Sequence, residues 1–166
     1  SIAGLWKGLD EMHRLGVLPR LPRLFGVQAE GAAPLVRAFE QGEEGPVTGE
    51  AATLADSISV GEPRNAIKAL RAVRRSEGAL LGVSDNEILA AIKDVARLSG
   101  IFAEPAAAAS FAGVRRARLS GFVSAKDTIV HVVTGSGLKD VRAAQKATSA
   151  PAVIEPTLEA VREELE

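Results

Sequence analysis

Thr134-Gly135-Ser136-Gly137 ends an apolar stretch of strand formers that begins at Thr128. A strand stopping at such a sequence presents hydroxyls and bare backbone at the carboxyl end of a sheet, the edge where open α/β proteins bind ligands. Gly135 and Gly137 let the backbone approach a flat ligand closely. The Thr134 and Ser136 hydroxyls can donate to, or accept from, a heteroaromatic nitrogen without fixing a charge on it. Spacing alone leaves a plain strand–turn–helix connection equally open. Glu104 is the second candidate. It stands between an extended apolar segment, Ile101 to Ala103, and Pro105, where a carboxylate either caps the helix that Pro105 starts or faces a ligand.

Other chemistry is less well supported. His13 lies on a helical pattern beside charged residues and His131 in the middle of the strand pattern, and no His-Glu-x-x-His exists. Ser136 lacks the Gly-x-Ser-x-Gly context of a nucleophile elbow. Arg71, Arg74 and Arg75, and likewise Arg115, Arg116 and Arg118, read as solvated helix faces rather than phosphate clamps. The acidic residues are spread along helices in no ligand spacing, and there is no cysteine for a thiolate, a disulfide or a Cys-ligated zinc.

Those candidates must be positioned by a domain of ordinary composition. The 166 residues are 46% apolar and 25% charged, with a net charge of −1, which argues against a broad nucleic-acid footprint. No run is long and apolar enough to span a membrane, and the start lacks the basic character of a signal peptide. The expected compartment is the cytoplasm.

Helical spacing of Ile2, Leu5, Trp6, Leu9 and Met12 predicts a first helix closed by Gly16. A short strand is expected over Leu24 to Gln28, and a helix from Pro34 to Gln41. Residues 42–62 read as a long loop with one short extended piece. Pro63 starts the next helix, with Ile67, Leu70 and Val73 inward. Ala79 to Val83 reads as a buried strand. Ser84-Asp85-Asn86-Glu87 forms a capping box ahead of a helix that Gly100 stops, with Ile88, Leu89, Ile92, Val95 and Ala96 on its inner face. Pro105 starts an alanine-rich helix to about Ser120, Thr128 to Thr134 is the last strand, and Pro156 begins a short acidic helix. Such alternation predicts an α/β fold, a three-layer αβα arrangement with a mainly parallel sheet.

In order over Ser1 to Asp140, the segments SIAGLWKGLDEMHRLG, LPRLFGVQAEGAAPLVRAF, TLADSISVGEPRNAIKALRAVRRSEG, VSDNEILAAIKDVARLSGIFAEPAAAASFAGV and VVTGSGLKD resemble the threonine synthases, members of the fold-type-II (tryptophan synthase β-like) pyridoxal-phosphate enzymes. GVQAEG followed by TGSGLKD favours them over the related serine/threonine dehydratases, which stay as the alternative within the family. Residues 141–166 resemble nothing assignable. The expected division is therefore a cofactor-binding segment over 1–140 and a tail over 141–166.

The resemblance implies pyridoxal phosphate as cofactor and a small-molecule substrate in the intact enzyme, O-phosphohomoserine, converted with water to threonine and phosphate. It implies that Thr134 faces the pyridine nitrogen, with Gly135 and Ser136 beside it, and that Glu104 stands near the ring edge. The loop containing Ala55 and Asp56 would border the cofactor, and Ser1 and Ile2 would lie at a helix N-terminus that receives the cofactor phosphate. The family's glycine-rich phosphate loop and Schiff-base lysine match nothing here. Lys7, Lys68, Lys93, Lys126, Lys139 and Lys146 read as surface lysines. The isolated chain is thus expected to be inactive and, with apolar surface exposed, to form a homo-oligomer. A stand-alone non-catalytic module and one half of a split enzyme are the alternatives.

Overall fold

In the computed structural model, residues 1–148 and 153–165 are described. Two strands, β1 (Phe25–Ala29) and β2 (Ala79–Val83), pair in parallel, from Phe25 opposite Ala79 to Ala29 opposite Val83. Helices α1 (Ile2–Arg14), α2 (Pro34–Glu40) and α3 (Ala66–Arg75) cover one face; α4 (Asp85–Ser99) and α5 (Pro105–Leu119) cover the other. The pleat of β2 sorts its side chains between the layers. Leu80 joins Leu35, Val36, Leu70 and Val73 on the α2–α3 side, and Val83 joins Ile88, Ile92, Ala108 and Ala112 on the α4–α5 side. In β1, Val27 and Ala29 face α5, and Gly26 lies under Ile2. The three-layer arrangement follows, on a sheet of two strands.

Local signals explain most of the elements. Ser84 Oγ accepts from the Glu87 amide at 3.3 Å while Glu87 Oε2 accepts from the Ser84 amide at 2.7 Å, so the capping box opens α4. Gly100, at φ +71°, closes it in the left-handed conformation that glycine adopts without penalty. Alanines 107–109, Ala112 and Ala117 are buried along α5, and their small size lets that helix lie close to β1 and α4. A side chain from β1 caps α2: Gln28 Oε1 accepts from the Leu35 and Val36 amides at 2.8 and 3.0 Å.

Several expectations need correction. Thr128–Thr134 is not a strand of the sheet; among the described residues the run has no ladder partner. It lies instead along α5, with His131 against Phe111 at 5.6 Å between ring centres and the Ser110 hydroxyl 3.4 Å from the Val132 carbonyl. The extended piece expected within 42–62 is a 3-10 turn at Asp56–Ile58. Helix α3 begins at Ala66 rather than Pro63, with Asn65 at the cap position. Its buried stripe is Ala66, Ala69, Leu70 and Val73, which rotates Ile67 out to 48% exposure. Ala91 takes the inner place expected for Ala96, which is exposed. Among the described residues two helices follow the last predicted strand. The first, α6 (Val141–Ala147), was not predicted; Asp140 caps it, and Ala147 packs into the α4–α5 core. The second, α7 (Leu158–Leu165), leaves Leu158 and Val161 exposed. No helix among the described residues is long and apolar enough to cross a membrane.

Candidate functional site

The two sequence motifs meet. Glu104 precedes α5, and its amide donates to the Gly135 carbonyl at 3.1 Å; the Gly137 amide donates to the Phe102 carbonyl at 2.9 Å. These bonds form an isolated antiparallel bridge between Ala103 and Ser136. The bridge brings Thr134, Gly135 and Ser136 beside Glu104, although they are 30 residues apart in the chain. Gly135 is required by space. An ideal Cβ there would lie 1.9 Å from Glu104 Oε1, so the backbone of the loop rests on the carboxylate.

Two hollows flank this junction. One, of about 480 Å³, is lined by Ile101, Phe102, Val133, Thr134, Gly135 and Ser136, with Thr134 exposed on its rim. The other, of about 330 Å³, is lined by Asp56, Ser57, Glu104, Pro105, Ala106, Lys139 and Asp140. Glu104 is only 5% exposed yet borders the second hollow. A buried carboxylate needs a compensating charge, and Lys139 supplies it, with Nζ 3.1 Å from Oε2 and 3.3 Å from Oε1. Lys139 is a surface lysine as expected, its side chain 59% exposed, and its ammonium also caps a buried acid.

The remaining site candidates are placed as follows. Ala55 is fully buried and lines neither hollow; its neighbours Asp56 and Ser57 line the second. Asp85 pins that loop, accepting from the Leu54 amide at 3.0 Å and from the Thr53 hydroxyl, whose oxygen accepts from the Ala55 amide at 3.1 Å. Ser1 and Ile2 belong to the α1–α3 layer and line neither hollow. The first turn of α1 has no side-chain cap and no acidic residue, which suits an anion at its free amides. Asp85 and Lys139 went unrecognised in the sequence. Asp85 looks like capping-box filler between Ser84 and Glu87, and nothing marks Lys139 except its place two residues after Gly137.

Several of the groups set aside at the outset have partners within the chain, although the buried Arg116 Nε has none. His13 Nδ1 lies 2.8 Å from the Leu18 carbonyl and His131 Nε2 lies 3.4 Å from the Ala107 carbonyl. Arg116 pairs with Glu87 at 2.8 Å and with Glu30 at 3.4 Å, and Arg115 with Asp94 at 2.9 Å, so these arginines are engaged by acids. Burial pushes the Glu87 carboxyl up, but the Ser84 amide and hydroxyl and the Arg116 guanidinium outweigh it, and the net shift is downward. Among the described residues no three His, Asp or Glu side chains gather as a metal site.

A hydroxyl on an open rim and, across the junction, a compensated carboxylate suit a flat heteroaromatic ring bearing polar groups. Residues 1–135 match the family of pyridoxal-phosphate dependent enzymes. The chain belongs to that family. Residues of this pyridoxal-phosphate family member are 41% identical over 169 aligned positions to a threonine synthase of Methanosarcina acetivorans, covering 98% of the chain and 40% of that protein. Identity is 44% over 146 positions to a threonine synthase of Mycobacterium bovis, covering 88% and 39%. The chain thus spans about 40% of the length of these curated relatives. Among solved structures, threonine deaminase isoform 2 of Solanum lycopersicum superposes with a TM-score of 0.63 at 18% identity, over 90% of this chain and 41% of that one. Maize serine racemase superposes with a TM-score of 0.51 at 19% identity, over 67% and 32%. These likenesses show the fold, that of the fold-type-II pyridoxal-phosphate enzymes.

Proposed function

We propose that this chain is the C-terminal segment of a threonine synthase-like lyase, and that the whole polypeptide converts O-phosphohomoserine and water to threonine and phosphate. The observation that supports this reading is the bridge between Ala103 and Ser136, which joins the segment carrying Thr134 to the segment carrying Glu104, with a hollow on either side of the junction. Identity of 41–44% to threonine synthases supports that branch over the dehydratases, since the deaminase likeness speaks for fold alone. Bound pyridoxal phosphate supplies an electron sink for bond changes next to the amino group of the substrate. Thr134 would offer its neutral hydroxyl to the ring nitrogen, which would leave that nitrogen largely unprotonated and so moderate the sink. Gly135 and Ser136 would lie beside the ring, Glu104, held by Lys139, would border the ring edge, and the amides at the start of α1 would receive the phosphate.

The 166-residue chain alone makes no threonine, because the lysine that would bind the cofactor covalently matches none of the six lysines here. Threonine formation by the purified chain would contradict that. The central test uses the full-length polypeptide. Thr134→Val should lower turnover with O-phosphohomoserine by about tenfold or more, the effect of about 1.4 kcal/mol in the barrier, and should shift the absorption band of the bound cofactor, whereas Thr134→Ser retains most activity. Unchanged turnover and spectrum in Thr134→Val would refute the assignment. A biosynthetic role of this kind fits the cytoplasm. Exposed Val130, Leu138 and Leu119 support self-association of the isolated chain, which light scattering would detect as a mass above that of one chain.

A further inference from the structure

We infer that Lys139 is a positioning residue, which fixes the loop carrying Thr134 by holding the Glu104 carboxylate seated beneath Gly135. The inference rests on the cofactor reading only for what Thr134 is positioned to meet.

The loop from Thr134 to Lys139 is anchored on Glu104 at both ends. At its start, Gly135 accepts from the Glu104 amide at 3.1 Å, and its Cα lies so close to the carboxylate that no side chain fits between them. At its end, the Lys139 ammonium returns to both carboxylate oxygens, at 3.1 and 3.3 Å. Between the ends, Gly137 packs against the Phe102 ring and donates to the Phe102 carbonyl at 2.9 Å.

The ion pair is asymmetric. The Lys139 side chain is 59% exposed and the Glu104 side chain 6%. Exposed pairs contribute little, but removing one partner from a buried acid leaves an uncompensated charge. The second effect governs here. Among the described residues no other side chain bonds the Glu104 carboxylate. Without Lys139 the carboxylate must turn toward the second hollow and water. Gly135 then loses its support, and only two backbone bonds hold the loop to Phe102 and Glu104. Thr134, next to Gly135, would no longer present its hydroxyl at a fixed point on the rim.

Hydrogen exchange at the Glu104 and Gly137 amides of the full-length polypeptide reads this clamp directly. Lys139→Met keeps the aliphatic stem and removes the charge. It should speed exchange at both amides by about tenfold, the equivalent of about 1.4 kcal/mol of local stabilisation, with far-UV circular dichroism unchanged. Lys139→Arg, which restores the cation, should return exchange to the wild-type rate. Pyridoxal phosphate affinity should fall about fivefold in Lys139→Met and recover in Lys139→Arg. Should Lys139→Met not fold, Lys139→Gln reads the same two amides. Unchanged exchange in the charge-free variant overturns the inference, whatever the cofactor does. Faster exchange with unchanged affinity also overturns it if Thr134→Val does weaken the cofactor. If Thr134→Val is equally silent, the assignment of Thr134 has failed, and the clamp on the loop stands on the exchange data.

Discussion

Replacing Gly135 by alanine tests the close packing on which the site depends. The new methyl would lie 1.9 Å from Oε1 and 2.3 Å from Cδ of Glu104, far inside contact distance. Gly135 has no positive φ, so backbone conformation is not at issue and space decides the outcome. Two responses are open. The carboxylate can swing away, giving up its charged hydrogen bonds to Lys139; such bonds contribute about 1.5–3 kcal/mol, and the exposure of Lys139 reduces this to about 1–2 kcal/mol. Alternatively the loop lifts and loses the two bridge bonds, at about 0.5–1.5 kcal/mol each. Against either stands a gain of about 0.4–1 kcal/mol from stiffening the unfolded chain. The net expectation is a loss of about 1 kcal/mol. With a urea dependence of roughly 2 kcal/mol/M, the unfolding midpoint of the 166-residue chain should fall by about 0.5 M. Gly45→Ala is the control, because nothing lies within 4 Å of its ideal Cβ; it should stay within about 0.5 kcal/mol of wild type. A midpoint for Gly135→Ala equal to or above that of the control would refute the seating of the loop on the carboxylate.

Ser76 is buried, its hydroxyl accepting from the Leu24 amide at 3.0 Å and donating to the Val73 carbonyl at 2.9 Å; Ser76→Ala should destabilise by about 1–3 kcal/mol in urea unfolding, through the orphaned amide next to β1. Gly8 lies inside α1 with nothing within 4 Å of its ideal Cβ, so Gly8→Ala should raise the unfolding midpoint of the isolated chain, by up to about 1 kcal/mol. The folded-state pKa of Glu87 is lowered from 4.5, so its contribution is full above that value and is lost as pH falls through the lowered one. The stability gap between wild type and Glu87→Gln should therefore close on acidification below pH 4.5, and a gap that widens would contradict the Arg116 pairing.

The fold was most legible where one local signal sufficed. The Ser84–Glu87 box, Gly100 and Pro105 mark helix ends by chemistry confined to a few residues, and Ala79–Val83 emerged with the expected bounds. Legibility failed where a partner decides the outcome. The β-branched run at 128–134 has strand-forming composition, but a strand exists only through a neighbour, and here α5 takes that place. Helix α6 was missed because its buried contacts are two alanines, Ala143 and Ala147, which carry little hydrophobic periodicity. At the site, the residue types of Thr134 and Glu104 were readable, whereas the Lys139 contact depends on how the loop from Thr134 to Lys139 turns back. A lysine two places beyond a glycine has no signature of its own.

These failures share a physical origin, and it bears on how the site works. The loop at 134–139 lies outside the sheet and is held by one bridge, two glycine contacts and one half-exposed ion pair. The run leading into it leaves Ile129 at 43%, Val130 at 84% and Val132 at 48% exposure. Segments with few buried contacts open locally at low free energy. The buried carboxylate behind the loop is different: α5 carries it from a core of packed alanines, with the amides of Ala107 and Ala108 bonded to the Glu104 carbonyl. A rigid acid and a pliable hydroxyl therefore meet at one junction, each bordering its own hollow. In the proposed clamp the precision of Thr134 is borrowed from Glu104, and the contact that transmits it is the ammonium of a surface lysine.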